Sequence, residues 1–198
     1  MKKLAVLLIV AVLVIGCGSS RKVTRVGADT TIDLSGDWND ADARMVAEEM
    51  ISDCLTRPWI NDFNMANGEK PVVTVGTIRN LSREHIDTET FTTDFERELL
   101  NSGKVRFVAS RVDRGEIRDE RLEQQEYASD ETAKRLAQEV GADFLLQGAI
   151  KTIVDQVEGT RVIFYQTDLD LVNIETNEKV WIGTKKIKKE ITQKGHKW

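Results

Sequence analysis

Few residues in this chain combine the types and the spacing that catalysis or metal binding requires. Asp168 and Asp170 are the best acid pair, since two neighbouring carboxylates could act as general acid and base. The two histidines, His85 and His196, lie far apart with no cysteine beside them, so no zinc ligand set is visible. No nucleophile elbow, phosphate-binding loop or dinucleotide motif occurs. The sequence therefore predicts a non-enzymatic protein without a cofactor or bound metal.

Cys17 lies at the end of an apolar N-terminal run, where it could carry lipid. A positive start, Met1-Lys2-Lys3, is followed by twelve apolar residues, 4–15, too few to span a bilayer, and then by Gly16-Cys17. Val14-Ile15-Gly16-Cys17 resembles the bacterial lipobox. We therefore expect residues 1–16 to be a signal peptide cut before Cys17, which then carries acyl chains and anchors the chain to a membrane. An ordinary secretory peptide with an incidental Cys17 is the alternative.

The position after the cysteine and the overall charge bear on location and partners. Gly18 replaces the aspartate typical of inner-membrane retention, which favours the outer membrane, facing the periplasm. Cleavage removes Lys2 and Lys3 from the 28 basic residues, leaving 26 against 33 acidic residues and a formal net charge of −7. This acidic charge argues against nucleic acid as a partner, because nucleic-acid binding depends on neutralising phosphates.

Cys54 is the only other cysteine, so no disulfide can form within the mature chain. Its helical spacing with Val46 and Met50 places it on an apolar face, where buried cysteine is common. Residues 17–36 carry the lipidated cysteine and then a polar, glycine- and serine-rich linker, and residues 37–198 form the globular domain. We expect this domain to be a monomer.

The order of elements predicts an α/β (α+β) fold in a single domain. Helices are predicted at 43–55, 88–100, 113–127 and 132–140, the first capped by 37–40 and stopped by Pro58. Strands are predicted at 71–78, 105–109, 143–154, 161–173 and 179–189. The expected sheet is mixed, has about five strands and ends in an antiparallel meander, with the helices packed on it.

Partner binding is the function that the remaining polar features favour. If the turn at Thr176-Asn177 sets the register, Asp168 lies opposite Lys185, and Trp181 falls on the polar face. There Trp181 would be either covered by a helix or offered to a partner. The lysines of the last strand either block unwanted strand pairing or form a positive patch.

The loop 79–87 follows a strand that the core should hold rigidly, and such loops often carry function. Hot spots favour Trp, Tyr and Arg, so Arg79 and Trp181 are the first candidates for partner contact. The further candidates are Asn80, Tyr165 and Lys185.

Several segments together resemble the LpoB family of outer-membrane lipoproteins, which activate a bifunctional penicillin-binding protein. The matching stretches are Pro71-Val72-Val73, the loop from Ile78-Arg79-Asn80 to His85-Ile86-Asp87-Thr88, the run Asn101-Ser102-Gly103-Lys104-Val105-Arg106-Phe107-Val108, the segment from Thr132-Ala133 to Gly141-Ala142-Asp143-Phe144-Leu145-Leu146-Gln147-Gly148, and Leu171-Val172-Asn173-Ile174-Glu175-Thr176 to Val180-Trp181.

The resemblance implies a TolB-N-terminal-like domain that docks on a class A penicillin-binding protein, stimulates peptidoglycan synthesis and has no catalysis of its own. The chain departs from the best-known relatives, which carry a long proline-rich tail, whereas Pro58 and Pro71 are its only prolines. Two alternatives are a structural or secretion-associated lipoprotein, as in CsgG, whose core is related, and a periplasmic module that binds a small molecule.

Overall fold

The computed structural model describes residues 22–110, 113–127 and 140–192. The predicted signal peptide, Cys17, His196 and most of the predicted helix 132–140 lie outside these residues. The chain divides into two units, Met1–Thr30 and Thr31–Trp198. In the first unit, residues 22–30 are exposed and include a turn in which the Thr30 N–H donates to the Gly27 carbonyl at 3.1 Å. None of the described helices is long and apolar enough to cross a membrane.

Four helices are described, and capping residues define where two of them begin. Helix α1 spans Asp40–Cys54, and Asn39 caps it in a reciprocal arrangement with Asp42. Helix α3 spans Thr88–Asn101 and is capped by Asp87, whose carboxylate accepts the N–H groups of Glu89 and Thr90. Helix α4 spans Asp113–Tyr127, as predicted.

Helix α2, Trp59–Asn67, was not predicted. Pro58 was predicted only to end the first helix. Proline also starts helices, because its fixed φ suits the first turn and no intrahelical bond requires its missing N–H. Gly68, with φ of 74°, then ends this helix in the left-handed conformation that glycine favours.

The five described strands form one mixed sheet, which confirms the predicted fold class. They are β1 (Val72–Asn80), β2 (Arg106–Phe107), β3 (Phe144–Val157), β4 (Thr160–Asn173) and β5 (Lys179–Thr192). The spatial order is β2-β1-β3-β4-β5. Strand β1 runs parallel to β2 and β3, and β3, β4 and β5 form the antiparallel meander.

The core lies between one side of the sheet and the helices α1, α2 and α3. Phe91 and Phe95 of α3 and Val46 and Ala47 of α1 are completely or almost completely buried there. Trp59 of α2 packs edge-on against Phe144 of β3, with ring centroids 5.0 Å apart. Because side chains alternate along a strand, every second residue points to these helices. We call this the helix side of the sheet and the opposite side its outer face.

The predicted register between the last two strands is wrong by one residue. Leu171 is opposite Trp181, whereas the next residue, Val172, is opposite Lys179, so Val180 is an extra residue at a β-bulge. Beyond the bulge, every side chain of β5 points to the side opposite to the predicted one. Trp181 therefore lies on the helix side, Asp168 is opposite Thr184, and Lys185 is opposite Thr167.

Candidate partner-binding surface

The structure does not bring the five predicted contact residues together. Arg79 is exposed on the outer face, where its strand neighbour is Ala149. Asn80, Tyr165, Trp181 and Lys185 all belong to the helix side. Tyr165 is 1% exposed and Trp181 is 5% exposed. Contact with a partner through these two rings is therefore not available in this fold.

Of the two alternatives for Trp181, the structure has the one in which a helix covers the ring. Its indole Nε1–H donates to Asp53 Oδ2 of α1 at 2.8 Å. The hydrogen bond from Arg57, and then the one from Trp181, lower the pKa of the Asp53 carboxyl below its usual range. Through this hydrogen bond, Trp181 connects β5 to α1.

Tyr165 and Asn80 shape the loop that follows β1. The Tyr165 hydroxyl lies 2.7 and 2.8 Å from the two carboxylate oxygens of Glu84. Burial, followed by this bond to Glu84, raises the pKa of Tyr165. The Asn80 side chain accepts the Ser82 N–H at 2.9 Å and donates to the Glu84 carbonyl at 2.8 Å. Both residues position the loop.

The lysines of β5 divide into two sets because side chains alternate along the strand. On the helix side, Lys185 pairs with Glu49 of α1. Lys189 contacts Asp33 at 2.7 Å and Asp42 at 2.6 Å, and its side chain is only 12% exposed. Burial acts to lower the pKa of Lys189, but the hydrogen bonds to Asp33 and Asp42 outweigh it and raise the pKa. Both lysines are structural.

Lys186 and Lys188 lie on the outer face and are exposed. Neither makes an ion pair with any other residue that the structure describes. Phe164 stands between Lys188 and Ile153 across the strands, and Gln166 stands between Lys186 and Lys151. Ile153 is 68% exposed. These neighbours combine an apolar centre with cations, and the acids Asp155 and Glu190 lie beside them on the same face.

We call this group, together with Arg79, the outer-face patch: Arg79, Lys151, Ile153, Phe164, Lys186 and Lys188. It crosses four strands, which at about 4.8 Å per strand makes it about 15 Å wide. An apolar centre with a charged rim is the usual composition of a protein–protein contact. The sequence predicted Arg79 as a contact residue and offered the lysines of the last strand as a positive patch, but it did not predict Lys151, Ile153 or Phe164 at this surface. Period-two alternation separates Lys186 and Lys188 from Lys185 and Lys189.

The candidate acid pair is neutralised by lysines of the same sheet. Asp168 accepts hydrogen bonds from Lys151 at 2.9 Å and Thr184 at 2.8 Å. Burial acts to raise the pKa of Asp168, but these bonds and one from Gln166 outweigh it, so the pKa is lowered and the group stays ionised. Asp170 pairs with Lys179 at 2.7 Å. Among the described residues, no group of three or more His, Cys, Asp or Glu side chains is placed to hold a metal ion.

Comparison with known proteins identifies one family whose model matches this chain. The model of the family described as peptidoglycan-synthase activator LpoB matches residues 42–187. A search of curated proteins gave no match. The LpoB C-terminal domain from Salmonella enterica is 18% identical, with 66% of this chain and 93% of that chain covered and a TM-score of 0.34. The NMR structure of Escherichia coli LpoB is 14% identical, with 90% of this chain and 86% of that chain covered and a TM-score of 0.39. A lipoprotein from Neisseria meningitidis is 13% identical, with 64% of this chain and 88% of that chain covered and a TM-score of 0.36.

Proposed function

This chain belongs to the peptidoglycan-synthase activator LpoB family, and we propose that it is a non-enzymatic lipoprotein that binds and activates a bifunctional, class A penicillin-binding protein. The observation that carries the proposal is the extent of the family match, which runs from α1 into β5 and so includes all of β1 to β4 and most of β5. Activation would act on glycan polymerisation and peptide cross-linking, and it would proceed through protein contact without a cofactor.

The anchor in this proposal is lipid on Cys17, in the outer membrane and facing the periplasm. Asp33 is already bound to the folded domain through Lys189. At roughly 3.3–3.6 Å per residue, the segment from Cys17 to Asp33 spans at most about 55 Å. The domain would stay close to its membrane, so the synthase must extend most of the way to it.

The outer-face patch is the proposed contact surface for the synthase. Arg79, Lys186 and Lys188 are exposed cations on a chain with a net negative charge, and Ile153 and Phe164 supply apolar area beside them. An acidic surface with an apolar centre would complement this patch and be steered towards it. Arg79 is the expected hot spot, since arginine combines charge, several donors and a long apolar stem.

A capture experiment with labelled synthases tests the binding. The chain is immobilised and exposed to detergent-solubilised envelope proteins that were labelled with fluorescent penicillin, which marks penicillin-binding proteins covalently. We expect a labelled class A synthase to be retained, and Arg79→Glu or Lys188→Glu to weaken its binding about tenfold or more. Lys70→Glu is the matched control, because it reverses one exposed charge outside the patch. Retention of no labelled synthase would contradict the proposal.

The anchor is tested separately from the binding. Replacing Cys17 by Ala removes the sulfur that would be acylated, so radiolabelled palmitate should enter the wild-type chain and not the variant. Palmitate that still enters the Cys17→Ala chain would refute lipidation at this residue.

A further inference from the structure

The chain lies against the ends of the last two strands before it enters α1, and we call residues 31–37 the N-terminal strap. The Asp33 carboxylate accepts a hydrogen bond from Lys189 of β5 at 2.7 Å. The Asp37 carboxylate accepts one from Arg161 of β4 at 3.3 Å. The Asp37 carbonyl accepts a further bond from Lys189 at 3.1 Å. Two cations of the sheet therefore hold the strap.

Both cations have a second acidic partner that does not belong to the strap. Lys189 contacts Asp42 of α1 at 2.6 Å, and Arg161 lies 3.9 Å from Glu84 in the loop after β1. Loss of an ion pair is most costly where it leaves a buried charge without a partner. If the strap left the sheet, the ammonium and the guanidinium would each keep one counter-ion. The fold therefore does not depend on the strap for the pairing of either cation.

The strap is packed only loosely on the domain. Residues 31–35 are all exposed, and Leu34 is 94% exposed. An open cavity of about 330 Å³ is lined by residues 33–36 of the strap and 189–191 of β5. The Asp33 and Asp37 side chains are 48% and 43% exposed, so water weakens their ion pairs with the two cations. The contacts that hold the strap are therefore weak.

Trp38, which directly follows the strap, is held more firmly. Its N–H donates to Glu84 Oε2 at 3.0 Å. Its ring packs edge-on against Phe91 of α3, with centroids 5.9 Å apart, and against Tyr165 of β4, with centroids 5.5 Å apart. Because both of these neighbours are buried in the domain, Trp38 marks the point beyond which the chain cannot leave without disturbing the core.

We propose that the N-terminal strap is a releasable section of the membrane tether, which exchanges between a docked and a released position while the domain stays folded. In the docked position, the free tether runs from Cys17 to Asp33. In the released position it runs to Trp38, and the five added residues extend its reach by about 17 Å, from about 55 Å to about 72 Å. The tether role rests on the proposed anchor at Cys17, whereas the exchange itself does not.

This exchange regulates how far from its membrane the domain can bind a partner. A partner within reach of the docked tether binds the chain in either position. A partner beyond about 55 Å binds only chains with a released strap, so its apparent affinity falls in proportion to the released fraction. The ion pairs of Asp33 and Asp37 therefore set a preference for partners close to the membrane.

The distance between two spin labels tests the exchange. The chain from residue 18 to residue 198, which contains the compact unit and no lipid, is labelled at Leu34→Cys and Lys186→Cys, since both positions are exposed. Cys54 is buried and should stay unlabelled. Double electron–electron resonance should give a narrow distance component for the docked strap and a broad component for the released strap.

The variant Asp33→Asn with Asp37→Asn should raise the ratio of the broad to the narrow component about fivefold or more, because two exposed ion pairs are lost. Its circular dichroism should remain that of the folded chain. The matched control is Asp62→Asn with Asp155→Asn, which removes the same two charges at exposed positions outside the strap. This control should leave the ratio unchanged.

Four other results would each overturn the proposal. A single narrow component in both the wild-type chain and the strap variant would show that the strap is a permanent part of the domain. A single broad component in the wild-type chain would show that the strap does not dock. An equal rise in the control would show that the two carboxylates do not hold it, and an unfolded strap variant would show that the fold depends on them. None of these results depends on the lipid or on a synthase.

Discussion

Replacement of Lys189 by methionine should destabilise the domain far more than the same replacement at its neighbour, Lys188. The Lys189 ammonium is the cation for Asp42, whose side chain is only 7% exposed. It also donates hydrogen bonds to the Asp33 carboxylate and the Asp37 carbonyl, and these bonds connect the start of the domain to the end of β5. Lys188 is exposed and makes no ion pair among the described residues. The two variants therefore share a chemical change and differ in surroundings.

The magnitude follows from the burial of Asp42. Removing one member of a fully buried ion pair costs about 3–5 kcal/mol, because the other charge is left without a partner. Here Asp33 is about half exposed and water reaches the cluster from that side. We therefore expect a loss of about 2 kcal/mol for Lys189→Met and less than about 0.5 kcal/mol for Lys188→Met. Asp42→Asn, which removes the buried charge but keeps an acceptor for the Asn39 N–H, should recover about 1 kcal/mol or more when added to Lys189→Met.

Urea unfolding measures these free energies, and unchanged slopes would show that the denatured state is the same in all variants. Equal stability of Lys189→Met and Lys188→Met would refute the structural role of the Lys189–Asp42 ion pair. If Asp42→Asn costs as much stability in the Lys189→Met chain as in the wild-type chain, the two side chains do not interact.

Four further effects are expected. Folding raises the pKa of Lys189 above 10.5, so its contribution to the free energy of unfolding is complete below pH 10.5 and is lost as the pH rises through the pKa of the folded state. The difference in the free energy of unfolding between the wild-type chain and Lys189→Met should therefore shrink when urea unfolding is measured at alkaline pH. Trp181→Phe should cost about 1 kcal/mol in urea unfolding through loss of the bond to Asp53, and an unchanged midpoint would contradict this role. Gly148→Ala should cost more than about 2 kcal/mol, because the added methyl meets the backbone oxygen of Asp168, and a chain as stable as wild type would refute the close approach. Burial raises the pKa of Cys54 to about 12, so a thiol reagent at neutral pH should label it only after unfolding, and rapid labelling of the folded chain would show that the thiol is accessible.

Local patterns in the sequence were sufficient to predict most elements of the fold. Helix α4 has the predicted bounds, and the β3–β4 turn falls at Glu158-Gly159, between the predicted strands 143–154 and 161–173, where Gly159 has a φ of 74°. Cys54 is buried, as its helical spacing predicted. These features depend on neighbours in the chain, whose effects are readable from residue type.

Features that depend on tertiary contacts were not predictable in this way. The bulge at Val180 has no signal in its own sequence, yet it reverses the side on which Trp181 and Lys185 lie. The burial of Tyr165 depends on Glu84, a residue far away in sequence. Of the candidate surface, only Arg79 was predicted as a contact residue, and the lysines of the last strand were one of two alternatives.

The rate of glycan polymerisation by the purified synthase, measured with and without this chain, tests whether the chain is an activator. The wild-type chain and Lys70→Glu should raise the rate equally, whereas Arg79→Glu, folded but altered in the outer-face patch, should raise it little or not at all. A wild-type chain that leaves the rate unchanged would contradict the proposed function. An Arg79→Glu chain that stimulates as well as the wild type would contradict the proposed surface.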